Sequence, residues 1–286
     1  MTQLPRVLLT LVMVVAAVAA GTWVWNYYLY SPWTRDGRVR ADVITIAPDV
    51  SGWVIQLNVK DNQLVKKGDV LFTVDDTRYK AKIAEDSALV EKAEYTWKLA
   101  QHEYERRQRL NDKSAISDED LDTYRIDTLQ NKASYDIAVA QLNTANINLI
   151  RTVVTAPEDG TITNLNLRQG NYVNQGVAVL SLVKSGSFYI TGYFEETKLS
   201  LIKVGQKATV HLMSGGKPLT GKVASIAKGI ANSNTSADNQ LLPQVQQTFN
   251  WVRLAQRIPV DIVLDNIDDE TYLSAGMTAS VDLRME

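Results

Sequence analysis

Ala47-Pro48-Asp49-Val50-Ser51-Gly52-Trp53-Val54, continued by Val65-Lys66-Lys67-Gly68-Asp69-Val70-Leu71-Phe72, returns later in the chain. The second copy reads Ala156-Pro157-Glu158-Asp159-Gly160-Thr161-Ile162 and then Val173-Asn174-Gln175-Gly176-Val177-Ala178-Val179-Leu180. The interval from Gly52 to Gly68 equals that from Gly160 to Gly176. Both copies alternate apolar and polar residues, the period of a half-buried strand, with Gly at the turns. A unit this short cannot bury a face by itself, so the two copies are expected to pack into one β-sandwich.

Between the copies the period changes from two to seven. Ile83, Val90, Trp97 and Tyr104 fall seven apart, with Ala93 and Ala100 in the second row of the same seam; Asp86 interrupts that row. On the return, Tyr135, Leu142 and Leu149 fall seven apart, with Ala138 and Ala145 beside them. Heptad spacing on two stretches free of Pro and Gly predicts a coiled-coil hairpin. Its helices should cover about 77–113 and 117–150, each roughly 50 Å long at 1.5 Å per residue. Ser117-Asp118-Glu119-Asp120 offers an N-cap hydroxyl followed by carboxylates at the positive end of the helix dipole. Arg106, Arg107 and Arg109 sit at the favourable end of the first helix. A tight connection over 112–116 makes the helices antiparallel. Their other faces read as polar, so the pair should stand in water and not against a core.

Val7 to Val24 carries no charge and follows Arg6. About 18 apolar residues of helix just cross a hydrocarbon layer of roughly 30 Å. Trp23, Trp25, Tyr27, Tyr28, Tyr30 and Trp33 form an aromatic cluster of the kind found at a membrane interface. Ala17-Val18-Ala19 also fits the cleavage site of a signal peptide. The aromatics that continue the run favour an uncleaved transmembrane anchor, single-pass in a bacterial inner membrane, with residues 31–286 in the periplasm. Arg35, Arg38 and Arg40 on the far side oppose the charge rule, but long following domains cross regardless of charge.

Composition narrows the chemistry. With 30 Lys and Arg against 32 Asp and Glu, the 286-residue chain has a formal charge of −2 and no basic excess for a nucleic acid. The absence of Cys removes disulfides, thiolate metal sites and thiol nucleophiles. Only His102 and His211 are available for imidazole chemistry, which leaves metal and general acid/base catalysis with almost nothing to use. The acid pairs Asp75-Asp76, Glu195-Glu196 and Asp268-Asp269 have no His neighbour and read as helix starts and turns. No G-x-x-x-x-G-K-S/T loop is present. No enzyme, cofactor or metal is expected.

A split sandwich enclosing a helical hairpin, behind one N-terminal anchor, resembles the membrane fusion protein family, the periplasmic adaptors of tripartite efflux and type I secretion systems. Its half-motifs look like split lipoyl carrier domains. The helices replace the hairpin that would present a modified Lys, and Lys66 and Lys67 read as exposed strand-end charges. Pro32-Trp33-Thr34-Arg35-Asp36-Gly37, with the Ala47 to Phe72 segment, resembles most the branch serving multidrug and aromatic carboxylic acid exporters.

The C-terminal third resembles the family's β-barrel. Strand candidates are 188–194, 208–213, 221–227, 259–264 and 277–283, and Val39 to Ile46 should add one more. Glu195 to Ile202 reads as a short helix ending before Gly205. His211 reads as a barrel side chain and His102 as a hairpin surface residue. The Asn-, Ser- and Gln-rich 232–247 reads as a long surface loop, with Leu241-Leu242-Pro243 and Phe249-Asn250-Trp251 as possible pump contacts.

The expected class is therefore mainly β with an α-helical coiled-coil hairpin. Its divisions are 1–30 cytoplasmic tip and anchor; 31–46 lead-in and first barrel strand; 47–75 first lipoyl-like half; 76–151 helical hairpin; 152–184 second half; and 185–286 β-barrel and membrane-proximal region. Many family members carry R-x-x-x-L-x-x-x-x-x-x-S at the hairpin tip, where it engages an outer-membrane channel. Arg106, Leu110 and Ser117 fit that spacing. The resemblance implies an adaptor that joins an inner-membrane exporter to the channel, as a homo-oligomer, trimer or hexamer. The rival reading is a secreted coiled-coil scaffold or carrier, released by signal-peptide cleavage.

Overall fold

The computed structural model describes residues 4–111, 117–230, 235–237, 243–245, 255–265 and 272–284, with the backbone alone at 4–8, 23, 26–30, 111, 235–237 and 243–245. The chain forms two compact units, Val43–Ser185 and the flanking Met1–Asp42 with Gly186–Glu286.

The chain begins with α1 (Leu4–Tyr30) and β1 (Trp33–Arg40). The first copy of the repeat then follows as β2 (Val43–Ile46), β3 (Gly52–Leu57), β4 (Leu64–Val65) and β5 (Val70–Val74). The helices α2 (Thr77–Asn111) and α3 (Asp118–Ile150) come next. The second copy is β6 (Val153–Thr155), β7 (Gly160–Thr163), β8 (Tyr172–Val173) and β9 (Leu180–Lys184). The outer unit is completed by β10 (Tyr189–Glu195), a 3-10 helix (Glu196–Leu201), β11 (Lys207–Leu212), β12 (Leu219–Ile226), β13 (Thr235–Ala237), β14 (Pro243–Val245), β15 (Arg257–Leu264) and β16 (Thr278–Leu283).

The two copies interlock. One four-stranded sheet has the order β2–β9–β7–β4 and the other β6–β5–β3–β8, so each sheet takes two strands from each copy. Gly52 stands opposite Val173, and Gly160 opposite Val65. The N–H of Gly68 donates to the Ala156 carbonyl at 2.8 Å, and that of Gly176 to the Pro48 carbonyl at 2.9 Å. Asn62 donates to Ile162 at 2.9 Å and Gly170 to Val54 at 2.8 Å. Each contact therefore recurs with the roles of the copies exchanged. Gly68 (φ +90°) and Gly176 (φ +75°) occupy the left-handed region that a side chain disfavours. Gly160 has a second constraint, because a Cβ there would lie 2.3 Å from the Val183 carbonyl oxygen of the neighbouring strand. The core between the sheets includes Leu71, Phe72, Val74, Ile162 and Leu182, all at 0% exposure.

The helices pack on each other along the expected seam. Ala100, Ala138 and Ala145 are buried, and Trp97 stacks on Tyr135 with centroids 5.5 Å apart. Asp75 sets the start of α2 by accepting from the Thr77 backbone N–H at 2.9 Å and its hydroxyl at 2.6 Å. Those two bonds, the hydroxyl first, hold the Asp75 carboxyl below the usual carboxylate range.

In the outer unit six strands close into a barrel, in the order β1–β10–β15–β12–β11–β16. Val39, Ile190, Phe194, Val210, Val260, Ile262, Ala279 and Val281 fill it. On the outside, the Tyr193 hydroxyl accepts from Arg40 Nη2 at 2.8 Å and makes that guanidinium harder to deprotonate.

Two expectations are corrected here and one is met. The barrel strand is Trp33–Arg40, whereas Val43–Ile46 pairs with β9 in the sandwich. The reason is packing: Ile46 is buried, and Ile44 partly so, in the sandwich core. The short helix expected after β10 is present, as a 3-10 helix over Glu196–Leu201. Within 232–247 the structure has an antiparallel pair, β13 with β14, from Thr235 opposite Val245 to Ala237 opposite Pro243. Leu241, Leu242 and 249–251 lie outside the described residues.

Among the described residues no helix is long and apolar enough to cross a membrane. Leu9 to Thr22 is an uncharged stretch of α1. Its apolar members are exposed, Leu9 at 61%, Leu11 at 63% and Met13 at 66% among them.

Candidate functional site at the hairpin

The last turns of α2 and the first turn of α3 flank the 112–116 connection, which lies outside the described residues. Arg106 and Leu110 are one turn apart on α2 and share a face. Arg106 is exposed and Leu110 is 38% exposed, large for an apolar side chain on a helix that has a partner. Ser117 is the N-cap of α3. Its Oγ accepts from the Asp120 N–H at 3.2 Å and donates to the Asp120 carboxylate at 2.9 Å. The structure thus places all three sequence-derived residues beside the connection and gives Ser117 a capping bond.

Arg107 behaves differently from its neighbour. Its guanidinium lies 4.7 Å from the centre of the Tyr124 ring on α3, joining the helices near their ends. Lys132 repeats the arrangement further down, 4.7 Å over the Trp97 ring. The run of Arg106, Arg107 and Arg109 therefore splits, with Arg107 in the seam and the others outside it.

A second apolar row on α3 was missed by the sequence reading. Ile126, Ala133, Ala140 and Ile147 are all exposed and seven apart. Leu129 at 55%, Ile137 at 60% and Ile150 at 71% widen the row. It runs two residues out of phase with Tyr135, Leu142 and Leu149. Its signal was present in the sequence but was hidden behind the row that packs on α2. On α2, Tyr95 and Leu99 are each 61% exposed. The outer faces are thus not uniformly polar.

Asp86, which breaks the α2 row, is 3% exposed. Its Oδ1 lies 2.9 Å from Lys82 Nζ, which also reaches Glu85 at 3.1 Å. These two carboxylates, Asp86 first, raise the Lys82 pKa. Elsewhere on the hairpin Glu94 holds Lys98 at 2.6 Å and raises its pKa likewise. Among the described residues no group of three His, Asp or Glu could hold a metal ion. His102 and His211 are exposed. Lys66 and Lys67 are exposed, and Lys67 pairs with Glu158 at 3.3 Å.

Comparison with known proteins accords with this geometry. Residues 42–185 match the family described as RND MFP, barrel-sandwich hybrid domain. Residues 187–284 match the AAEA-like beta-barrel domain. The chain is 43% identical over 272 residues to the uncharacterized protein YdhJ of Escherichia coli (strain K12), covering 95% of each chain. The fold is similar to that of the membrane fusion protein Spr0693 from Streptococcus pneumoniae R6, with a TM-score of 0.64 and 17% identity over 88% of this chain and 98% of that one. It is also similar to MacA from Actinobacillus actinomycetemcomitans, with a TM-score of 0.59 and 24% identity over 90% of this chain and 79% of that one. Two interlocked β copies around a helical pair, flanked by a barrel and matched over both units, make this chain a member of the membrane fusion protein family, with the periplasmic adaptor fold of tripartite efflux systems.

Proposed function

We propose that the protein is the periplasmic adaptor of an efflux system, joining an inner-membrane exporter to an outer-membrane channel through its hairpin, for export of drugs or aromatic acids. The observation that carries this reading is the hairpin itself. It holds together along one narrow seam and leaves a second heptad row on α3, with Arg106 and Leu110, open to solvent. Exposed apolar residues at helical spacing suit docking against other helices. A guanidinium can grip carbonyls or a carboxylate in a fork. The branch assignment is supported by the AAEA-like description of the barrel.

In this reading α1 is the inner-membrane anchor. The uncharged sequence from Val7 to Val24 supports it, as do the exposed apolar side chains around α1. Several copies, three or six, would surround the transported molecule, since one hairpin cannot enclose a passage. Energy would come from the exporter.

The test is cross-linking in cells that carry the tagged full-length chain. The parent should give adducts with an outer-membrane channel and co-purify with an inner-membrane exporter. Arg106→Asp should weaken the channel adduct at least tenfold while membrane attachment and exporter capture persist. Unchanged channel adducts in Arg106→Asp would remove the tip assignment. Absence of both partners from the parent would remove the adaptor reading.

A further inference from the structure

The barrel end beside α1 gathers a Trp and several exposed cations, in a chain whose formal charge is −2. Only Ser31 and Pro32 separate α1 from β1. Trp33 therefore starts within about 11 Å of the helix end even if the link is fully extended. Two cations flank the Trp33 ring, with Arg35 Cζ 5.4 Å and Lys198 Nζ 5.1 Å from its centroid.

Backbone bonds bring further cations to the same rim. The Leu283 N–H donates to the Pro32 carbonyl at 3.1 Å, and the Arg284 N–H to the Lys207 carbonyl at 3.0 Å. Gln206, 7% exposed, accepts from the Lys203 N–H at 3.0 Å and donates to the Arg284 carbonyl at 2.7 Å. Arg35, Lys203, Lys207 and Arg284 are exposed, and Lys198 is half-buried. The carboxylates on these segments are Asp36, Glu195, Glu196 and Asp282; Asp36 pairs with Arg257 at 2.5 Å, and Glu195 stands opposite Arg257 in the ladder. Val204, 66% exposed, adds an apolar side chain.

We propose that this rim binds the anionic headgroups of the lipid surface that α1 enters. The proposal rests on reading α1 as the anchor. Cations this close to a charged surface lie near its Debye length of about 8 Å and gain from its potential. A Trp and an exposed Val among them suit the headgroup level, where amphipathic rings are favoured. The cations come from several segments of the barrel edge, β1, the 3-10 helix, the turn after it, β11 and the end of β16, which fits a surface of many phosphates better than a single free ion.

The test uses the full-length chain in nanodiscs of phosphatidylcholine, alone or with phosphatidylglycerol added. Amide exchange is followed over 31–36, 196–207 and 282–284. Exchange there should be slower in the anionic discs, by about fivefold per cation engaged. Lys198→Glu with Lys207→Glu should abolish the difference, and the neutral pair Lys198→Gln with Lys207→Gln should reduce it. Unchanged exchange in β10 and β15 shows that the variants fold. Equal exchange in both kinds of disc, with the chain inserted, overturns the proposal and points to a protein partner. Slowing by inorganic phosphate alone, in uncharged discs, overturns it in favour of a free-anion site. A chain that enters neither disc removes the anchor reading, and the proposal falls with it.

Discussion

The sandwich and the hairpin belong to one compact unit, yet they bury their side chains in opposite ways. Between the sheets, residues as large as Phe72 and Leu71 are fully enclosed. Along the helices, the residues buried to a comparable degree are Ala100, Ala138, Ala145 and the charged Asp86. The sandwich is thus stabilised by area removed from water, roughly 25 cal/mol per Å². The hairpin relies on local helix bonds, exposed (i, i+4) pairs such as Glu94 with Lys98, and a thin seam. A region that spends little apolar surface on itself keeps more of it for a partner. Under the proposed function, that division lets one chain combine a fixed body with an adhesive arm.

The sharpest way to break this contrast is to cut into the sandwich core. Phe72→Ala should cost about 3–5 kcal/mol in urea unfolding of the full chain. A loss below about 1 kcal/mol would mean that the core is not the source of stability. Gly160→Ala is next, at about 1–3 kcal/mol, because the added methyl meets a ladder carbonyl 2.3 Å away. Its counterpart Gly52→Ala meets a side-chain carbon, Val74 Cγ1 at 2.6 Å, and should cost less. Equal costs would show that the interlock of the two copies tolerates backbone shifts.

The smallest effect tests where the two regions join. Asp75 is held below its ordinary pKa of 3.8 by Thr77. A depressed carboxyl stabilises the folded state fully above the unfolded value, and that contribution fades as pH falls through the folded one. The melting temperature of the parent should therefore fall more between pH 7 and pH 3 than that of Asp75→Asn. Identical shifts in the two proteins would contradict the capping role.

Much of this was legible in the sequence because it rests on spacing. The equal intervals between Gly52 and Gly68 and between Gly160 and Gly176 announced two equivalent β units. The seven-residue rows announced the hairpin. What spacing did not reveal was pairing partners: Val43–Ile46 has the alternation of any strand, and only the apolar contacts of Ile44 and Ile46 assign it to the sandwich. Likewise Arg106 and Arg107 look equivalent in a basic run until Tyr124, on the other helix, selects one of them. The outer row of α3 is hard to see in the sequence because two heptad frames overlap in one helix, and Ala133 and Ala140 make it weaker than the row of Tyr135, Leu142 and Leu149.

The hairpin's two faces should separate most clearly in a full-length chain carrying Ile126→Gln, Ile137→Gln and Ile147→Gln, probed by cross-linking to the outer-membrane channel alongside its melting curve. If the outer row serves a partner, the channel adduct disappears while the melting temperature stays near that of the parent. If the adduct survives and the chain instead melts early, that row belongs to the protein's own fold, and the division of labour between body and arm is wrong.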